Sequence, residues 1–349
     1  MSSIVTIERH IQDQQALHPQ ATGAFSGLLR DLTLAAKIIS REVRRAGLQN
    51  ILGATGYQNV QGEEVQKLDI FANDTIRYCM EHGGHLCCMA SEENADILLL
   101  PERYKKGRYV MLFDPLDGSS NIDANITIGT LFSVYRRVSK GLNGTMEDCL
   151  QPGYQQAAAG YILYGSSTMF LYTAGHGVHG FTLDPTIGEF LLSHENLRCP
   201  ERGGTYSVNE SNYHFWDTCT RKYVDHIKDS DPDTGRPYSL RYVGSLVADL
   251  HRTIVKGGIF LYPADRRDPR KPKGKLRLQY EANPAAFIVE QAGGKATDGY
   301  GRILDLVPQE LHQRVPLVFG SKLDVEDFER FVQQCEAGRV ESRESRVES

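Results

Sequence analysis

The sequence predicts an α/β fold, and three observations carry that reading. Amphipathic helical runs alternate with short apolar strand-like runs, the strand runs stop at acidic residues, and 33 Gly and 14 Pro punctuate the junctions. At 349 residues the chain exceeds one ordinary core, so two domains or one large layered unit are expected. Hydrophobic residues make up 40% and charged residues 24%, which excludes collagen, coiled coil and wholesale disorder. A net charge of −5 leaves no overall positive field for nucleic acid or anionic lipid, so any anion site is local. Seven cysteines without CxxC pairs read as reduced thiols. The first residues, MSSIVTIERHIQDQQ, carry charges and amides where a signal peptide is apolar, and no run approaches the roughly 20 apolar residues of a membrane span. A soluble, cytoplasmic chain is expected.

In chain order, Leu28, Leu29, Leu32, Ala35, Ala36, Ile39 and Val43 recur at helical spacing, with Ser26 as the cap and Gly47 as the stop. Ala21-Thr22-Gly23 then becomes a turn feeding a helix N-terminus, a place that can hold an anion. A second helix is expected over Asp69–His82, ended by Gly83-Gly84, and a short buried strand over Leu86–Ala90, closed by Ser91-Glu92-Glu93. Tyr109–Phe113 reads as a strand covered on both faces, ending at Asp114. Gly160–Tyr164 and Met169–Tyr172 read as successive strands. A third strand-to-acid junction is expected where Leu276–Tyr280 leads to Glu281, before Pro284 opens a helix that Gly293-Gly294 stops. Residues 336–349, where RVES occurs twice, read as a disordered tail.

Asp114-Pro115-Leu116-Asp117-Gly118-Ser119-Ser120 is the most informative stretch. Pro115 fixes one dihedral and Gly118 permits a sharp turn beside two acids three residues apart. Two carboxylates and the Leu116 carbonyl suit a hard divalent cation, while amides and hydroxyls from Gly118 to Asn121 can face a phosphate. Asp-Pro and Asp-Gly are also ordinary turn formers, so other acids must decide. Strand alternation sends Glu92 and Glu93 to opposite faces. Glu281, Asp69 and Glu63 can join them only through tertiary folding. Several carboxylates brought together without cations repel one another and bind protons more tightly, and divalent metal resolves that conflict. With no His or Cys ligand spacing, magnesium fits better than zinc.

The string DPLDGSSNID, Asp114 to Asp123, resembles the metal-binding signature of the lithium-sensitive phosphomonoesterases, which include inositol monophosphatase and fructose-1,6-bisphosphatase. QGEEVQKLD (61–69), ASEEN (90–94), LQPGYQQAAAGYILYGSS (150–167), YSVNE (206–210), RYVGSLVADLHRTIVKGGIFLYPAD (241–265) and GKLRLQYEANPAAFIVEQAGG (274–294) resemble class I fructose-1,6-bisphosphatase. The likeness runs from about Thr22 to Gly320. It implies layers of helix and mixed sheet in two associated domains: 1–199 with the metal-binding acids and an AMP site, and 200–335 with the sugar-phosphate contacts. It also implies a homotetramer. The implied reaction is magnesium-dependent hydrolysis of the 1-phosphate of fructose 1,6-bisphosphate, in gluconeogenesis or the Calvin cycle. Two or more ions per subunit, with manganese as a substitute, would be held by Glu92, Asp114, the Leu116 carbonyl, Asp117 and Glu281. Glu93, helped by Asp69, would position or deprotonate the attacking water, and Glu63 corresponds to an acid of a mobile loop.

By the same resemblance, Gly118, Ser119 and Ser120 hold the reacting phosphate beside Asp117. Asn209, Tyr242, Tyr262 and Lys275 match the 6-phosphate and sugar contacts, and Arg241 matches an arginine from a neighbouring subunit. Thr22, Gly23, Arg108, Tyr109 and Arg136 match an inhibitory AMP site, where Ala24 departs from the family's Glu. The chloroplast members' cysteine-bearing insertion is missing, with only Cys149 near its position, so no disulfide switch is expected. Competing readings are a wider specificity that includes sedoheptulose 1,7-bisphosphate, a catalytically silent sugar-phosphate or nucleotide sensor, and nucleic-acid binding through DRRDPRKPKGK (265–275). The last lacks interleaved aromatics and sits in an acidic chain.

Overall fold

Alternation along a strand sends Phe132 and Val134 to one face of a sheet and Leu131 to the other, and both faces are dry, so helices must cover each side. In the computed structural model, residues 4–16, 23–48, 54–58, 64–267 and 273–347 are described, with backbone alone at 47, 54–58, 64–65, 336 and 338–347. The first half contains α1 (Ile7–Ala16), α2 (Ala24–Val43), β1 (Ala54–Gln58), β2 (Glu64–Gln66), α3 (Lys67–Met80), β3 (Leu86–Ser91), β4 (Leu98–Leu99), β5 (Tyr109–Asp117), β6 (Ile128–Arg136), α4 (Met146–Cys149), β7 (Gln156–Tyr164), β8 (Thr168–Thr173), β9 (Val178–Asp184) and β10 (Glu189–Leu197). There follow β11 (Thr205–Ser207), α5 (Thr218–Lys228), β12 (Ser239–Leu240), α6 (Leu246–Lys256), β13 (Ile259–Tyr262), α7 (Asn283–Gln291), β14 (Lys295–Thr297), β15 (Leu317–Gly320) and α8 (Lys322–Val347).

Two mixed sheets and three helical layers result. The large sheet has the order β10-β9-β8-β7-β6-β5-β3-β4, parallel only at β3–β5. The second has the order β12-β11-β13-β15-β14. Leu28, Leu32 and Ile76 of α2 and α3 pack with Phe113, Phe132 and Phe170 on one face of the large sheet. Leu131, Tyr161 and Leu171 on its other face meet Leu250 and Ile254 of α6 and Ala285 and Ile288 of α7, which also pack on Phe260 and Phe319 of the second sheet. Tyr223 of α5 and Phe328 of α8 close the far side against Leu261 and Val318. The α/β class is as the sequence predicts, and the order of layers is α, β, α, β, α. Among the described residues no helix is long and apolar enough to cross a membrane.

Four local expectations are corrected. The helix expected to be capped by Ser26, α2, starts at Ala24 behind Gly23 with φ +76°, and the Ser26 hydroxyl instead donates to Gln15 Oε1 at 2.6 Å. The run 276–280 is no strand: Leu278–Ala282 forms a π-helical turn that flows into α7, because its apolar residues lie in the middle layer and are buried all round. Segment 336–347 is helical in backbone where repetition suggested disorder, half of its residues being Glu or Arg, which favour helix. Cys219 and Cys335, 116 residues apart, are joined with Cα atoms 5.6 Å apart, because α5 packs on α8; the reduced reading holds for the other five, all buried. Cys149 is among these and sits in the interior, at the end of α4.

Candidate metal and phosphate site

Parallel pairing sets Ser91, the end of β3, opposite Phe113 of β5, so the next residue along each chain, Glu92 after β3 and Asp114 within β5, emerges beside the other. The π-helical turn brings a third from the middle layer. Oxygens of Glu92, Asp114 and Glu281 lie within 4.8 Å of one another, all buried. Each has a reason for its position. Asp114 Oδ1 accepts from the Leu116 N–H at 2.9 Å, the turn that Pro115 imposes. Glu281 Oε2 accepts from the Arg277 N–H at 2.6 Å. Asp117 stands at the N-terminus of α6, where Oδ2 accepts from the Ser245 hydroxyl and the Val247 N–H, both at 2.9 Å.

The electrostatics are those of a cage short of positive charge. Burial, then the charges of Glu92 and Asp117, push the Asp114 carboxyl well above the usual carboxylate range. Burial and Glu92 do the same to Glu281, against the opposing pull of Arg277. Burial raises Asp117 to about 6, its helix N–H groups holding it back. Asp69, on the first turn of α3, is raised to about 7 by burial, opposed by bonds from the Gln66 N–H, at 2.9 Å, and the Ser119 hydroxyl. Oε2 of Glu92 is buried with no hydrogen-bond partner. An all-oxygen donor set with an orphaned carboxylate oxygen fits hard divalent cations.

Of the sequence-predicted acids, Glu92, Asp114 and Glu281 therefore meet, with Asp117 and Asp69 electrostatically linked to them. Glu93 is half-buried, its N–H donating to Ser91 Oγ at 3.3 Å. The Leu116 backbone is buried between Asp114 and Asp117. Glu63 lies outside the described residues. Gly118 has φ +75°, and a Cβ there would stand 2.7 Å from Ser245 Cβ, so the turn needs glycine on both counts. Ser119 and Ser120 follow in a short 3₁₀ turn, with Ser120 exposed. Asn209 and Tyr262 share a small cleft, and Gly274 lies against the Tyr262 ring, which places Lys275 nearby with its side chain exposed. Burial, then Tyr242 and Glu281, raise the Tyr262 phenol, which ties this group to the cage. Tyr242 and Arg241 are exposed on the loop before α6. Gly23, Arg108, Tyr109 and Arg136 line a separate cavity of about 430 Å³ beside α1; Thr22 lies outside the described residues.

Sequence reading missed two residues. Arg277 is buried in the cage, Nη1 2.7 Å from Glu92 and 3.8 Å from Glu281. A lone cation inside the apolar run LRLQY was the available signal. Asp249 accepts from the Val243 and Gly244 N–H groups, all at 3.2 Å, and so shapes the 241–245 loop. Arg277→Met is expected to destabilise the metal-free chain by about 3–5 kcal/mol, because it leaves buried carboxylates without their cation. The deficit should shrink when Mg²⁺ is added, as read from thermal unfolding with and without the ion; an equal deficit in both would mean the guanidinium and the ion do not serve the same charges.

Comparison with known proteins follows this geometry. The family model described as Fructose-1-6-bisphosphatase, N-terminal domain, matches residues 5–195, and that of the C-terminal domain matches residues 199–333. The chain is 59% identical over 329 residues to the "Fructose-1,6-bisphosphatase class 1" of Oleidesulfovibrio alaskensis, covering 93% of this chain and 97% of the relative. It is 57% identical over 334 residues to that of Chloroherpeton thalassium, covering 95% of each. The holo crystal structure of Leishmania major fructose-1,6-bisphosphatase superposes with a TM-score of 0.87 at 40% identity, over 94% of this chain and 99% of the other.

Proposed function

The chain belongs to the fructose-1,6-bisphosphatase family, and from that premise we propose that it hydrolyses the 1-phosphate of D-fructose 1,6-bisphosphate, releasing fructose 6-phosphate and phosphate. It is then a phosphoric monoester hydrolase of carbohydrate metabolism. The observation that carries this reading is the buried convergence of Glu92, Asp114 and Glu281.

Glu92, Asp114, the Leu116 carbonyl, Asp117 and Glu281 would hold divalent cations, two or more Mg²⁺ with Mn²⁺ as a substitute. Bound there, such ions would supply positive charge to the phosphoryl oxygens and to the departing sugar oxygen. The chain's own residues do the rest. N–H and O–H groups of the Gly118–Ser120 turn donate to the reacting phosphate, and Gly118 lets that backbone approach closely. Glu93 receives the proton of the attacking water, with Asp69, which burial keeps near a neutral pKa, as the second acid of the relay. Asn209, Tyr242, Tyr262 and Lys275 hold the far phosphate and the sugar, and fix which phosphate reaches the cage.

Phosphate release from fructose 1,6-bisphosphate is expected with Mg²⁺ and absent in EDTA, and Glu93→Gln should lower kcat by at least about 10²-fold with KM little changed. Activity without any divalent ion, or an unaffected Glu93→Gln variant, would remove the proposal. The wider reading that adds sedoheptulose 1,7-bisphosphate has no observation in its favour; the ratio of kcat/KM for the two sugars measures it. The cavity lined by Gly23, Arg108, Tyr109 and Arg136 offers two cations and an aromatic ring to AMP as inhibitor, and AMP added to the same assay reads that site. A cytoplasmic homotetramer, in which Arg241 reaches a neighbouring subunit's site, completes the proposal, with domains divided near residue 200.

A further inference from the structure

Three of the five free cysteines converge away from the acid cage. The pairing of β3 with β5 is irregular between Leu86 and Cys88, and at that point Cys87 and Cys88, consecutive in one strand, both enter the same buried cluster with Val110, Leu112 and Cys149. Their sulfurs are 4.0 Å apart, and Cys88 Sγ is again 4.0 Å from Cys149 Sγ. A carboxylate oxygen of Asp148 lies within 4.8 Å of the Cys87 and Cys88 sulfurs. All four residues are shut from solvent. With a metal–sulfur bond of about 2.3 Å, a pair of sulfurs at this separation subtends about 120° at an ion between them; Cys87, Cys88 and Asp148 are mutually close, whereas Cys149 adjoins Cys88 alone and must swing inward to share the ion. The Asp148 carboxylate is held by N–H groups of Val138 and Ser139 on Oδ1 and by the Thr145 N–H and Ser139 hydroxyl on Oδ2, so an ion bound there takes the place of one of these donors. Arg137, whose guanidinium donates to the carbonyls of Gly141 and Asn143, holds the covering loop, and Gly144 in that loop lies so close that a Cβ would meet both sulfurs.

We infer that Cys87, Cys88 and Asp148, with Cys149 drawn in beside Cys88, form a binding site for one thiophilic divalent cation of the Zn²⁺ or Cd²⁺ type. Binding exchanges S–H for S–metal bonds and releases the thiol protons to water, with no change of oxidation state. Softness sorts the ions: hard Mg²⁺ goes to the all-oxygen cage, the softer ion to sulfur. The inference is independent of the phosphatase reading.

The test is a Cd²⁺ titration of the full chain in excess Mg²⁺, which keeps the carboxylate cage occupied. One equivalent should produce sulfur-to-metal charge-transfer absorption in the ultraviolet, with about two or three protons released per ion. Cys88→Ala and Cys149→Ala should each weaken binding by at least about 10-fold, with Cys88→Ser as a second variant and circular dichroism confirming the fold. Cys79→Ala and Cys199→Ala, elsewhere in the interior, should leave it unchanged. Absence of the absorption band, or a band that persists at full affinity in folded Cys88→Ala or Cys88→Ser, overturns the inference.

Discussion

Asp114→Asn is expected to lower kcat by about 10³-fold while raising the unfolding temperature of the metal-free chain by about 2–4 °C. The two effects have one cause. Asp114 is buried within reach of Glu92 and Glu281, and its carboxyl is driven well above its ordinary range by burial and by their charges. In the absence of cations, asparagine removes one member of a repelling set and keeps an Oδ1 acceptor for the Leu116 N–H. In the presence of cations, the same change removes a charged oxygen where the developing phosphoryl charge must be balanced. Thermal unfolding in EDTA and steady-state phosphate release check the pair. An unchanged kcat, or a variant less stable than the parent in EDTA, would show that Asp114 is an ordinary structural acid.

The pH dependence of stability should differ with and without metal. Asp69 at about 7, Asp117 at about 6, and Asp114 and Glu281, both pushed well above the usual carboxylate range by burial and the charge of Glu92, all have folded-state values above the roughly 4 of an unfolded chain. The folded state therefore binds more protons than the unfolded one between those limits. The stability these groups contribute is complete below about pH 4 and is lost as pH rises through 6 and 7. For Asp117 alone the shift corresponds to a loss on the order of 3 kcal/mol, and coupling among the acids forbids summing them. Divalent cations favour the ionised forms and should flatten the decline. Unfolding midpoints from pH 4.5 to 7.5, in EDTA and in Mg²⁺, read the difference, and parallel profiles would remove the claim that the cage is a site of stored repulsion.

What sequence reveals here follows from the range of the forces involved. The strands expected over Leu86–Ala90 and Tyr109–Phe113 are legible because each is an apolar run bounded by turn chemistry, although β5 runs on through Asp114 to Asp117 before Gly118 turns the chain. Periodicity alone does not place Glu92, Asp114 and Glu281 together; the resemblance does, and the parallel β3–β5 pairing supplies the physical means. Leu276–Tyr280 misleads because a run buried on all sides has no period, whether strand or helix. Arg277 is invisible as a cage member because its role depends on Glu92, 185 positions earlier. Gly23 displaces Ser26 as the helix start because a left-handed residue can begin the turn without a side-chain cap.

The cage draws its acids from two different layers: Glu92 follows β3 and Asp114 lies within β5 of the large sheet, while Glu281 rises from the turn leading into α7, whose helix also packs on the second sheet. Any ion that binds all three is a rivet between layers. Its binding free energy would then add to the cohesion between the large sheet and the middle helices, and removing it would loosen that seam before any other.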